Sequence, residues 1–202
     1  MIPKIEFRYS HIYDERYRNS PKTKKILKKR KATYHSYRTI LNYIKKIEPI
    51  WKKHEKKVLS ELSKVSGLKW REDKIIVYVI GHGIPFSDPL TMPVYKKDDE
   101  YFTDTLVHEL IHQLFVQGDN LEKTKKSWDY VFRKYKKEDF KTKVHIPLHA
   151  IHSHIYLKFF TKKRMEKDIK NISFLPSYRK SWEIVQKEGY KNIINEFKKR
   201  IK

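Results

Sequence analysis

Residues 103–118 read TDTLVHELIHQLFVQG and contain His108-Glu109-Leu110-Ile111-His112, an H-E-x-x-H sequence. On a helix, positions i and i+4 lie one above the other, so both imidazoles can reach one metal ion. Nitrogen ligands hold zinc at about 2.0–2.1 Å. Glu109 sits one step round the helix, within reach of a water polarised by that metal. A carboxylate there can take the water's proton as a base and pass it to a leaving amine as an acid. The neighbours Leu106, Val107, Leu110, Ile111, Leu114 and Phe115 are all apolar. Two histidines and a glutamate in a buried helix are costly unless something compensates them, and a metal does so. The competing reading is a pair of hydrogen-bonded core histidines with Glu109 facing water.

The stretch 103–118 resembles the active-site helix of the zincin metallopeptidases. That resemblance implies zinc ligation by His108 and His112 and a general base/acid role for Glu109. It also implies a compact active-site region with a substrate cleft beside a sheet edge. The likeness covers this helix and extends at most to the strand before it. The extended metzincin pattern is absent, because Gln113-Leu114-Phe115-Val116-Gln117-Gly118 follow His112 with no Gly or His at the required places.

A catalytic zinc usually has three protein ligands and one open position. The segment 144–156, VHIPLHAIHSHIY, holds His145, His149, His152 and His154. Spacings of four and three let His145, His149 and His152 share a helix face, with His154 pointing elsewhere. His149 lies between Leu148 and Ala150-Ile151 and is expected to be pushed inward, so it is the favoured third ligand. His152 or His145 is left as an alternative ligand or as a donor to the oxyanion of a tetrahedral intermediate. The bland reading is that these histidines line a helix without a metal role. Among downstream carboxylates, Glu138 and Glu166 sit in charged runs. Of these and Glu188, Glu183 is the most credible, since apolar residues flank it, and it ranks below His149. Asp104, one turn before His108, can hold that ring's second nitrogen or simply offset the helix dipole. His82, in Gly81-His82-Gly83, reads more simply as an exposed turn residue than as part of a cleft.

These side chains need a scaffold. Lys74–Ile80, KIIVYVI, is the clearest strand. Residues 81–99 contain Pro85, Pro89 and Pro93 and read as a loop, with 91–95 as a short edge strand. Asp98 and Asp99 offer a cap for a helix over 100–117 that Gly118 closes. Upstream, Ser20-Pro21 starts a basic helical segment that Pro49 should break or kink. A second helix over about 50–66 ends at Gly67. Residues 20–66 thus form a basic helical hairpin or one bent helix. Further helices are expected near 121–138, 146–162, 164–171 and 176–199, with Pro147 in the first turn of its helix and Gly189 interrupting the last. The expected fold is α+β, mainly α: a zincin-like helix next to a small sheet. It is read as a single domain over 1–202, with a helical arm at 20–66 and the metal-site region at 70–202.

With 202 residues, 39% hydrophobic and 14% aromatic, the chain can bury a core unaided. It has no cysteine, which excludes disulfides and thiolate metal sites. No signal peptide or membrane span is visible, so a soluble cytoplasmic protein is the default. The net charge of +23 suits a polyanionic partner. The lysines are spread along the whole chain, however, and the run KKILKKRK at 24–31 reads more simply as a solvated helix side. The leading expectation is a zinc metallopeptidase acting on a peptide or protein. The alternative is a basic helical nucleic-acid-binding or regulatory protein with a structural or vestigial zinc site. The four scattered tryptophans are packing anchors.

Overall fold

A computed structural model describes residues 1–95 and 98–202. Lys96 and Lys97, part of the segment read as a loop over 81–99, lie outside the described residues. The chain is 66% helical with a four-stranded mixed sheet, the expected mainly α form of an α+β fold. It divides into two compact units. One comprises Ile2–Lys56 and Glu72–Leu110; the other comprises Lys57–Arg71 and Ile111–Lys202, with Met1. Among the described residues, no helix is long and apolar enough to cross a membrane.

The first unit is built on the sheet. Its strands are β1 (Lys4–Arg8), β2 (Lys74–Ile80), β3 (Phe86–Ser87) and β4 (Leu90–Pro93), in the order β1-β2-β4-β3. β1 pairs with β2 in parallel, from Lys4↔Lys74 to Arg8↔Tyr78. β4 pairs with β2 in parallel and with β3 antiparallel, so it is an inner strand and not the edge strand expected from Pro93. Proline costs nothing there because Pro93 is the last residue of β4, where a missing N–H breaks little of the ladder. Alternation along β2 buries Ile75, Val77 and Val79.

Helices α1 (His11–Asn19), α2 (Pro21–Arg30) and α3 (Tyr37–Lys52) join β1 to the rest of this unit, and α4 (Glu55–Ser66), which follows them, belongs from Lys57 on to the other unit. Four separate helices therefore replace the hairpin or bent helix expected over 20–66. The chain breaks at Lys31, which turns with φ 48°, and restarts where the Ser36 side chain accepts a bond from the Thr39 N–H. Pro49 does not break α3 but lies inside it. Pro49 and Lys45 are both exposed, so water can serve the carbonyl that proline leaves unbonded. α3 buries Ile40, Tyr43, Ile47 and Trp51 at helical spacing, each worth roughly 1.5–3 kcal/mol. The Tyr43 ring meets Phe102 at 5.7 Å, and Phe102 in turn meets Phe7 of β1 at 5.8 Å.

Asp14, fully buried on α1, fastens the turn after β2. Its carboxylate accepts bonds from the Gly81 N–H at 2.9 Å and from the Tyr34 hydroxyl at 2.5 Å. Gly81 lies so close to the Tyr34 ring that a Cβ there would collide with it. Neither α1 nor the role of Asp14 is foreseen from the sequence.

The second unit is helical. It contains the end of α5 (Asp99–Val116), then α6 (Asn120–Lys134), α7 (Phe140–Phe159), α8 (Lys162–Ile172), α9 (Pro176–Glu188) and α10 (Tyr190–Lys198). α7 packs against α9 and α10, and α10 against α6. α7 starts six residues before the expected boundary, capped by Asp139, whose carboxylate accepts the Thr142 N–H at 3.0 Å. Pro147 is consequently inside the helix and not in its first turn.

Candidate metal centre

α5 carries the H-E-x-x-H residues. The Asp98 carboxylate caps it by accepting the Tyr101 N–H at 2.9 Å. At its other end Gly118 takes φ 51°, and a Cβ there would meet the Arg71 Cγ at 2.8 Å. The Asn120 amide donates to the Leu114 carbonyl at 2.8 Å and to the Lys69 carbonyl at 2.9 Å. These bonds satisfy a carbonyl of the last turn and fix the helix end just past His112. Apolar residues surround the motif, with Leu106, Val107, Leu110 and Ile111 all buried. A helix apolar on all sides belongs in a core, as here.

His108, His112 and His145 each bring a ligand atom within 4.8 Å of the others. His108 and His112 are one turn apart on α5. The rings of His112 and His145 lie 5.0 Å apart and nearly perpendicular. His145 is held by its Nδ1, 2.7 Å from the Lys141 carbonyl. A carbonyl only accepts, so Nδ1 carries the proton and Nε2 carries the lone pair. This is the orientation that a ligating histidine needs, with its other nitrogen anchored. The Tyr178 ring lies against His145 at 4.2 Å.

The structure brings His145, not His149, into this group. His149 is indeed inward, but it is wholly buried: its Nδ1 lies 2.8 Å from the Ser181 hydroxyl, and its ring stacks on Trp182 at 4.2 Å and 12°. His152 is equally deep and stacks on Tyr156 at 4.5 Å. His154 points elsewhere, as its spacing indicates, and its Nε2 lies 2.7 Å from Glu61. The four downstream glutamates are engaged at the surface. Glu183 lies 3.9 Å from Arg179, Glu138 3.9 Å from Lys180, Glu166 3.7 Å from Lys162 and Glu188 2.6 Å from Lys134. Glu183 is one step round α9 from buried Trp182 and so faces out. Asp104 is buried at the position four before His108. His82 is half-buried and, with His35 and Tyr95, lines an open depression of about 580 Å³ in the sheet unit.

Glu109 is buried, and burial pushes its carboxyl up to about 8. A cation beside it acts in the opposite direction. Tyr95, following β4, lies within electrostatic reach of Glu109. No periodicity in the sequence announces this neighbour.

Burial lowers His112 to about 3, with His145 adding to the effect, and lowers His152 to about 3; His145 and His149 are also lowered. An unfolded imidazole titrates near 6.5. Between these values the unfolded chain binds protons that the folded chain does not, so stability falls as pH falls through 6.5. At pH 5 the loss at His152 alone is roughly 2 kcal/mol. Glu109, raised to about 8, works the other way over this range, because there the folded chain binds a proton that the unfolded chain does not. The urea midpoint of the chelator-treated Glu109→Gln protein, which lacks that offset, is therefore expected to drop steeply from pH 7 to pH 5, and a midpoint unchanged in that variant would contradict neutral burial of these rings.

Comparison with models of protein families, with curated proteins and with solved structures finds no match to this chain.

Proposed function

We propose that this chain is a zinc-dependent hydrolase of peptide bonds, with His108, His112 and His145 as the metal-holding residues and Glu109 as base and acid. The donor set carries this reading. Three imidazoles converge, and among the described residues no carboxylate or fourth histidine joins their group. A structural zinc site closes with four protein ligands, whereas a catalytic one keeps a position open. The residues fit the ion: neutral imidazole suits zinc, His145 has its lone pair on Nε2, and burial keeps His112 unprotonated.

When bound, zinc supplies a Lewis acid that polarises a carbonyl and acidifies a water. The chain's own part is proton handling. Glu109 takes the proton of the attacking water and hands it to the leaving nitrogen. Burial holds this carboxyl near 8 without a metal, and a cation beside it lowers it from there towards the range where a group can both accept and return a proton at working pH. The apolar walls around it exclude water and strengthen every charge interaction inside. The peptide bond as target follows from the resemblance of α5 to the zincin helix.

The test is elemental metal analysis of the purified chain together with mass-spectrometric scoring of a peptide mixture. The expected result is about one zinc per chain. Hydrolysis should disappear on chelation and return with added zinc. A chain that binds no zinc on reconstitution, or that cleaves equally well without it, overturns the proposal.

A further inference from the structure

His112 also forms part of a second feature, a groove of about 450 Å³ within the helical unit. That volume is in the range of small-molecule and side-chain pockets. Its walls are Phe115, Leu121, Trp128, Phe132, Phe140 and Val144. Two of the lining rings, Phe115 and Trp128, are backed by Phe197, the three making mutual ring contacts at 5.0–5.5 Å. Phe132 and Phe140 meet at 5.7 Å along one wall. Three of the large apolar side chains left exposed by the fold gather here: Phe140 at 68%, Val116 at 50% and Leu121 at 50%. Solvent-exposed apolar side chains gathered in one concave patch mark a binding surface. The charged groups at the groove are of both signs, Glu122, Lys125 and Asp129, and give no preference for a charged ligand.

We propose that this groove is the specificity pocket of the hydrolase and takes an aromatic side chain of the peptide substrate next to the bond that is cut. The inference rests on the hydrolase reading above. Two observations identify the occupant. The groove shares His112 with the metal centre, and Val144 in its wall directly precedes His145, so a side chain seated in it belongs to whatever lies at that centre. Its lining offers ring faces and edges from several aromatic residues, which favour an aromatic guest over an aliphatic one.

The experiment measures binding without turnover. Zinc-loaded Glu109→Gln protein is titrated calorimetrically with an acetylated, amidated octapeptide of Gly, Ala and Ser that carries one Phe, and with the same peptide carrying Ala in its place. Burying one aromatic side chain predicts a roughly 10- to 100-fold preference for the Phe peptide. Leu121→Trp, which fills the groove from an exposed position, should abolish that preference, and Phe140→Ala should weaken it. In the parent protein, cleavage of a random peptide mixture should concentrate beside Phe, Tyr and Trp. Equal affinity for the two peptides, or a preference untouched in both variants, overturns the pocket assignment even if the parent protein hydrolyses peptides. A Phe preference that Leu121→Trp removes, in a protein that never cleaves, overturns the hydrolase reading and leaves the groove as a binding site for an aromatic side chain only.

Discussion

Glu109→Gln is expected to keep its zinc and to lose hydrolysis by roughly 10²- to 10⁴-fold, the range that a positioned acid–base group contributes. Glutamine has nearly the same shape and keeps hydrogen-bonding capacity, but it cannot take a proton. Because Glu109 is 7% exposed, a neutral amide in its place costs no charge burial, and the urea midpoint should not fall. The loss should therefore appear in kcat with KM little changed, since the missing interaction belongs to the transition state. Steady-state kinetics, elemental zinc content and urea unfolding of parent and variant check the three parts. Equal activity in the variant would end the base assignment. A loss of zinc along with activity would instead make Glu109 part of the metal's support.

His145→Ala and His149→Ala are expected to fail in opposite ways. Removing His145 takes away one of three converging donors and should weaken zinc binding by more than the roughly 10- to 100-fold that loss of an outer-shell partner costs. Its effect on folding in chelator should be smaller. Removing His149 deletes a wholly buried ring, its stacking on Trp182 and its bond to Ser181, for roughly 2–4 kcal/mol of stability. Zinc affinity of the folded fraction should stay close to that of the parent. Chelator competition measures the first quantity and urea unfolding the second. A His149→Ala chain that is stable but zinc-free, beside a His145→Ala chain that retains zinc, would reverse the assignment.

The contrast between these two histidines shows what the sequence could carry. His108, Glu109 and His112 are legible because their spacing and helical geometry are one and the same fact. The limits of β2 are legible for a similar reason, since six successive β-branched and aromatic residues end at a Gly-His-Gly turn. Which histidine of α7 joins His108 and His112 is not legible. His145, His149 and His152 share one face by spacing, and flanking apolar residues rank them by depth alone. Depth does not rank them by nearness to α5: the deepest ring, His149, has its Nδ1 beside Ser181 and stacks on Trp182 of a helix more than thirty residues on, while the slightly shallower His145 meets α5. Likewise the anchor of His145 depends on α7 starting at Phe140, and the Asp139 cap lies inside a charged run that reads as a solvated end. β1 went unrecognised because it is five residues long with charges at Lys4, Glu6 and Arg8, and only its partner reveals that Ile5 and Phe7 are the buried side.

The pairing of β1 with β2 also has a consequence for how the protein is made. Lys4 opposes Lys74, so about seventy residues leave the ribosome between the two strands, which takes roughly 4–14 s at ordinary rates of synthesis. For that interval Ile5 and Phe7 sit on a strand with no partner, a ready template for pairing with other nascent chains. Lys4, Glu6 and Arg8 alternate with them, and charges so placed discourage such pairing. In the finished fold the Glu6–Lys74 pair at 3.5 Å is a solvent-exposed contact worth little. The alternating charges of β1 therefore act chiefly before β2 has been made.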